Sequence, residues 1–395
     1  MEIEQKLLDL TNLTVGCTDV GAIGYAASIA RDALAAEPRS IRIMLSHEIY
    51  KNSKNVGVPG TARRGPVVAA LLGTAIGEPS HKLSIFHHVS ERQLEDMRRL
   101  EGIVSVELEH TKADSSMWVT VQMVSELDTV EATLAYRYDY LLELKKNGKT
   151  VIKNSIPNQA DHRKMILDMT QILALVESID KPSSTLLDRI SINVDPIEPI
   201  PDDMETLLFA LHRKIYKKTA KRMRGEVLPV VSYCGSGNLG IASANAIDAL
   251  TRFYKADPIT QTKATALYLL IVQEIKASMT LLTVMCGTAI AAGAAAAGIN
   301  LYLKGAEPKS IHFGVNQALS ESLGTLCDGA KENCAAKTAS RVMEGILQSE
   351  YVDENLGIVG EQGVTVVDVN QTIRRIAKLN NEDMEAVNQA ILEMI

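Results

Sequence analysis

Five cysteines have the widest chemical reach of any side chains in this sequence. Each stands beside glycine or in a run of small residues: VGCTD at Cys17, SYCGSGN at Cys234, VMCGTAIAAG at Cys286, and LCDGAKENC at Cys327 and Cys334. Taken singly, a free cysteine is most often an inert small hydrophobe in a core. The pair Cys327 and Cys334 asks for more. Their separation of seven residues is two helical turns, so on one helix both thiols point the same way, about 10 Å apart. That is too far for a disulfide or for two ligands of one zinc ion, but it suits two corners of a cubane iron–sulfur cluster. If Gly329 breaks the helix, Cys327 becomes a loop ligand at its start, with the same consequence. There is no CxxC and no HExxH. The eight histidines show no ligand spacing, and His87 and His88 fall in a strand-like pattern, which gives them a structural role.

Two glycine-rich runs are the other candidates. Cys234-Gly-Ser-Gly-Asn-Leu-Gly precedes a helix predicted over 241–250, so free N–H groups of the loop and helix start would form an anion site suited to a carboxylate, with Ser236 and Asn238 as side-chain donors. The plainer account is a tight turn that lets two helices approach. Lys51, Asn52 and the following VGVPGT loop could shape a pocket or be a surface turn. Asp328 and Lys331, three residues apart on a predicted helix, are either a solvated ion pair or a device that orients a ligand cysteine or meets a charged substrate.

The elements that must position these residues are mostly helical. The chain has 395 residues, 46% of them hydrophobic, and a formal net charge of −7, which excludes disorder and argues against nucleic-acid binding by bulk electrostatics. Aromatics are only 4%, while Ala, Gly and Met are plentiful, the composition of closely packed helices. The odd cysteine count and a charged N-terminus, MEIEQKLLDL, speak against a secreted disulfide framework and for a cytoplasmic protein. The uncharged stretch 281–303 is long enough to span a bilayer, but it is mostly Ala and Gly without aromatic flanks, so a buried core helix is predicted and no membrane partner. The expected fold is mainly α with an inserted α+β module. Residues 1–80 and 156–395 would form a discontinuous helical catalytic domain, the first 80 read as helix and Gly-rich loop. Residues 81–155 would be the module, with strand-like runs LSIF, VSVELEH, WVTVQMV, ATLAYRY and LLELKKNGKTVI, one helix SERQLEDMRRLEG, and a hairpin turn at NGK. Helical periodicity returns from about Asp161. An exposed sheet in the module could pair between subunits, which points to a homodimer.

The ordered series GCTD, SHEIYKN with VGVPGT, SYCGSGNLGIA, CGTAIAAGAAAAG and CDGAKENCAAK resembles the L-cysteine desulfidase family, whose C-terminal part is related to the alpha chain of iron–sulfur L-serine dehydratases. The resemblance runs over nearly the whole chain. It implies an oxygen-sensitive [4Fe–4S] cluster held by Cys286, Cys327 and Cys334 with one iron open. The implied reaction, without pyridoxal phosphate, turns a small amino acid, L-cysteine, into hydrogen sulfide, ammonia and pyruvate. Cys17 would face the substrate, its thiolate serving as base if a helix N-terminus opening at Asp19 to Ala22, or a neighbouring lysine, depresses its pKa. Family members usually carry GCTEP, where this chain has Cys17, Thr18, Asp19 and Val20; Cys234 replaces a residue, usually methionine, and is read as a passenger thiol.

Four other readings compete. The same machinery could act on L-serine, with the open iron binding a hydroxyl. The altered GCTDV loop could mark a catalytically inactive relative that binds cysteine, and Cys327 and Cys334 could join other ligands around zinc. A membrane carrier built on 281–303 ranks last.

Overall fold

A computed structural model describes residues 2–157, 167–353 and 363–395. Its α and β elements gather around two hydrophobic cores, one built mainly from residues 17–144 and the other from residues 169–377 with Leu7. The return of helix expected from about Asp161 begins outside the described residues; the first helix after them is Met169–Glu177.

The first core is a six-stranded sheet covered by helices. Strands β2 (Ser40–Ser46), β3 (Ser105–Thr111), β4 (Trp118–Val124), β5 (Thr129–Ala135), β6 (Leu141–Lys146) and β7 (Lys149–Lys153) run in the order β3-β2-β4-β5-β6-β7, parallel between β2 and β3 and otherwise antiparallel. The sheet therefore reaches beyond residues 81–155, since β2 lies between β3 and β4. In β2 the residues Ile41, Ile43 and Leu45 point into the core while Arg42 points out, the period-two alternation of a half-buried strand. The helix Thr18–Ala33 lies across β4 and β5 and packs on the helix Pro66–Ile76. At that crossing a side chain at Gly73 would run into the backbone of Gly24.

The NGK turn closes the β6–β7 hairpin, with Asn147 and Gly148 both at positive φ as a type I′ turn requires. The helix Glu91–Ile103 begins at a full capping box of Ser90 and Gln93. LSIF is not a strand. Pro79 opens a 3-10 turn over Pro79–Ser84, with Leu83, Ile85 and Phe86 buried and Phe86 filling the space beside Gly24, leaving His87 and His88 in the turn that follows.

The second core surrounds the helix Gly287–Leu303, whose Ala and Gly residues are buried on all sides by the helices Gly237–Phe253, Pro258–Ser278, Pro308–Glu321 and Cys334–Asp353. A helix apolar all round is a core helix. No helix among the described residues is long and apolar enough to cross a membrane. Residues 281–286 precede this helix as a loop. A two-stranded ribbon, β1 (Thr11–Val15) with β8 (Pro229–Tyr233), joins the chain's start to its second half.

Candidate active site

All five cysteines bound one buried cavity on the seam between the two cores. Helix starts and one loop bring four of them there. Cys17 is the N-cap of the helix Thr18–Ala33, after Gly16 at φ 74. A side chain at Gly16 would strike Pro59, so the VGVPGT loop packs behind Cys17 instead of lining the cavity. Cys286 caps the helix Gly287–Leu303, and Cys334 is the first residue of the helix Cys334–Asp353.

Cys327 lies on a loop, because Gly329 at φ 98 tucks against the carbonyl of Lys51 where no side chain fits. The loop alternative, not the two-turn helix, therefore describes this pair. A short antiparallel bridge sets its register: Cys286 N–H donates to Thr325 O at 2.7 Å and Cys327 N–H to Val284 O at 2.7 Å.

The charges around these ligand candidates are arranged with care. Asp328 accepts from both Lys331 and Lys337, and Lys337 also donates to Leu326 O at 2.7 Å. Although burial pushes the Asp328 carboxyl up, the two ammonium groups hold it down at about 2. The pair expected on a helix thus forms in a turn and, through Lys337, ties the Cys327 loop to the helix that begins at Cys334. Lys276, buried, lines the cavity within electrostatic range of Cys234, Cys286 and Cys327.

Burial, then repulsion from Cys327 and Cys334, pushes the Cys286 thiol up to about 12. Cys334 rises to about 11, chiefly by burial, and Cys234 to about 12 for the same reason. Cys286 and Cys334, whose ionisation is opposed by burial and by the neighbouring Cys327, lose that opposition when cations bind them. Among the described residues no three His, Cys, Asp or Glu side chains close around a single metal ion. The donor set, three soft thiols from separate segments around one cavity, fits an iron–sulfur cluster better than zinc.

Cys17 and Asp19 form a second buried group on the cavity wall. Cys17 Sγ donates to Asp19 Oδ2 at 3.0 Å, while Asn52 Nδ2 and Tyr138 Oη donate to Asp19 Oδ1 at 3.3 and 3.4 Å. Burial, then the Asp19 carboxylate, raises the Cys17 thiol well above its ordinary value, and Arg222 offsets this only in part. The expectation of a depressed Cys17 pKa is therefore reversed. The helix N-terminus is present, but burial outweighs it, and the nearest countercharge is an arginine and not a lysine.

The remaining expected residues separate. Asn52 lines the cavity, and Cys327 Sγ approaches its Oδ1 at 3.9 Å. Lys51 does not line it: Nζ donates to Asn388 Oδ1 at 2.8 Å and reaches Thr283 O at 3.5 Å, pinning the C-terminal helix and the 281–286 loop. Ser236 and Asn238 line the cavity at the start of the helix Gly237–Phe253. Their side chains are engaged, however: Ser236 Oγ accepts from Leu239 N–H and pairs with Thr288 Oγ1 at 2.9 Å, and Asn238 Oδ1 accepts from Arg222 Nη1 at 2.9 Å.

Arg222, Asp19, Tyr138 and Lys276 were not singled out from sequence as site residues, yet all four line the cavity. For Arg222 a signal existed. It continues the buried stripe Leu208, Leu211, Ile215, Thr219 at helical spacing, although its neighbours in KKTAKRMRG read as a solvated basic face. An outer cleft of about 390 Å³ adjoins the cavity through Tyr138, Cys234, Gly235, Lys276 and Leu281 and opens a route for a small molecule.

A family profile described as serine dehydratase alpha chain matches residues 80–393. The chain is also similar over its length to proteins named UPF0597. One from Methanocella arvoryzae is 28% identical over 97% of this chain and 95% of its own. One from Aliivibrio fischeri is 27% identical over 96% and 95%, and one from Clostridium perfringens is 25% identical over 96% and 94%.

Proposed function

The chain belongs to the serine dehydratase alpha chain family, and from that premise we propose that it is a lyase catalysing α,β-elimination of L-cysteine to hydrogen sulfide, ammonia and pyruvate. The observation that carries this reading is the convergence of Cys286, Cys327 and Cys334 with Cys17 on one buried cavity. The first three would hold a [4Fe–4S] cluster, which when bound supplies a Lewis acid to the leaving group at the substrate's β-carbon.

The chain's own residues then have two tasks. Cys17 is placed to take the proton from Cα as a thiolate, and the Asp19 carboxylate, which accepts its hydrogen bond, orients the sulfur while making that thiolate costlier to form and so a stronger base. Asn52 and Tyr138 fix the orientation of that carboxylate. The aminoacrylate product tautomerises and takes up one water to give pyruvate and ammonia, which leave through the adjoining cleft.

The description of the matched family favours one second reading, the same site acting on L-serine with water as the leaving group. GCTD at the N-terminus is the motif that resembles the desulfidase side. The test is anaerobic purification, iron and labile-sulfide analysis, and side-by-side turnover of L-cysteine and L-serine. Sulfide release from L-cysteine with at least tenfold higher kcat/KM supports the proposal. An iron-replete chain that prefers L-serine, or that binds cysteine without product, overturns it.

A further inference from the structure

We propose that Arg222 receives the substrate's α-carboxylate through the Nε and Nη2 edge of its guanidinium; the inference rests on reading the cavity as an amino-acid site and names the group that anchors the substrate there. Arg222 ends the helix Met204–Arg224 and is 2% exposed. Its Nη1 is spoken for by Asn238, but among the described residues neither Nε nor Nη2 has a hydrogen-bond partner. Those two nitrogens form one edge of the planar group, with parallel N–H bonds at the spacing of two carboxylate oxygens. A buried cation that leaves that edge without a hydrogen bond is costly, and the Asp19 charge within electrostatic range offsets only part of the burial. The bidentate partner has to come from outside.

The surroundings are built for this one side chain. A Cβ at Gly237 would stand 2.5 Å from Arg222 Cζ, so the glycine of the CGSGN run makes room for the guanidinium. That gives the motif a role different from both the anion loop and the tight turn. Asn238, next in sequence, fixes the orientation of the fork. On the other side, Gly57 N–H donates to Met223 O at 2.9 Å, and a side chain at Gly57 would hit Arg224 O, which lets the VGVPGT loop clamp the helix end.

Asp19 is the nearest acid acting on Arg222, but its oxygens are taken by Cys17, Asn52 and Tyr138. Arg222 also lies within electrostatic range of both Cys17 and Cys334. A carboxylate on the fork therefore holds Cα near the Cys17–Asp19 pair and leaves the β-substituent free to face the ligand thiols. The ligand class is a small acid with a short, soft or hydroxylic side chain, and an amine alone is a poor substitute.

The test uses full-length wild type, Arg222→Met and Arg222→Lys. Each cluster-free chain is titrated calorimetrically with L-cysteine, 3-mercaptopropionate and cysteamine, and each cluster-loaded chain is assayed for iron, melting temperature and turnover. Wild type is expected to bind the two carboxylates and not cysteamine. Arg222→Met should lose affinity for both by about 100-fold or more, with iron content unchanged and no fall in melting temperature. Arg222→Lys should raise KM more than it lowers kcat. Equal binding of cysteamine and L-cysteine by wild type, or affinity in Arg222→Met within threefold of wild type, overturns the assignment. If Arg222→Met does not fold, Arg222→Lys decides by the same affinity criterion. Should loaded wild type turn over neither amino acid, the lyase reading fails alone, because carboxylate binding is scored on the cluster-free chain.

Discussion

Gly293 and Gly345 are the positions at which a single methyl group should separate cluster binding from folding. Gly293 lies on the helix that begins after Cys286, and Gly345 on the helix that begins with Cys334. The two helices touch backbone to backbone there: an ideal Cβ at Gly345 would fall 2.1 Å from Gly293 O, and one at Gly293 would fall 2.5 Å from Arg341 O. Real Cβ atoms keep about 3 Å or more from a carbonyl oxygen, so Gly345→Ala forces the helices apart by about 1 Å and Gly293→Ala by about half that. Packed helices move as rigid bodies, and the crossing lies only about 10 to 16 Å of helix from the two thiols, so the displacement reaches them nearly undiminished. Metal–ligand distances tolerate about 0.2 Å. The fold is far less sensitive, since overpacking costs about 1–3 kcal/mol while Ala returns about 1 kcal/mol over Gly in a helix. Anaerobically prepared Gly345→Ala should therefore hold several-fold less iron than wild type and melt within about 5 °C of it. Gly102→Ala, on an exposed helix with open space around it, is the control and should keep full iron. A Gly345→Ala chain with wild-type iron and activity would refute the idea that this crossing spaces the ligands.

Two further outcomes test the other wall. Asp19→Asn removes the carboxylate that, after burial, holds the Cys17 thiol up, so the thiol's pKa falls and the acid limb of kcat/KM against pH should move to lower pH. Cys17→Ser, the reference, should lose about 10²–10⁴ in turnover with iron retained, and an unmoved limb in Asp19→Asn would detach Cys17 from proton transfer. Cys234→Ala should retain its iron, as a passenger thiol does, and lost iron would make Cys234 a ligand.

What could be read ahead of the structure followed local rules. The capping box at Ser90, the hairpin turn at Asn147–Gly148 and the glycines adjoining Cys17, Cys234 and Cys286 are signals contained within a few residues. The alternation in β2 is equally local and as long as that of β4, but it stands alone between helices, away from the other strand-like runs. LSIF misled for the opposite reason: its apolar residues are buried against the helix Thr18–Ala33 by a turn, which periodicity over four residues cannot distinguish from a strand. The acidity of Cys17 and the inward turn of Arg222 depended on what tertiary packing brings alongside. Asp19, two residues from Cys17, turns its carboxylate back onto the thiol, and Gly237, fifteen residues from Arg222, opens the space its guanidinium fills.

The division of labour across the seam follows from that packing. The first core contributes the groups that handle a proton, Cys17, Asp19, Asn52 and Tyr138, on elements braced by the sheet. The later part of the chain contributes Cys286, Cys327 and Cys334, the last packed against the first core, together with the buried cations Lys276 and Arg222. Neither half is complete alone. Burial raises the Cys17 thiol, and it raises those of Cys286 and Cys334 as well, so these three sulfurs are protonated in the free chain near neutral pH. Protonated thiols are poor nucleophiles and poor ligands. Each ligand must lose its proton as iron binds, so loading the cavity is coupled to pH: raising it towards the elevated thiol values favours loading, and lowering it favours the free chain.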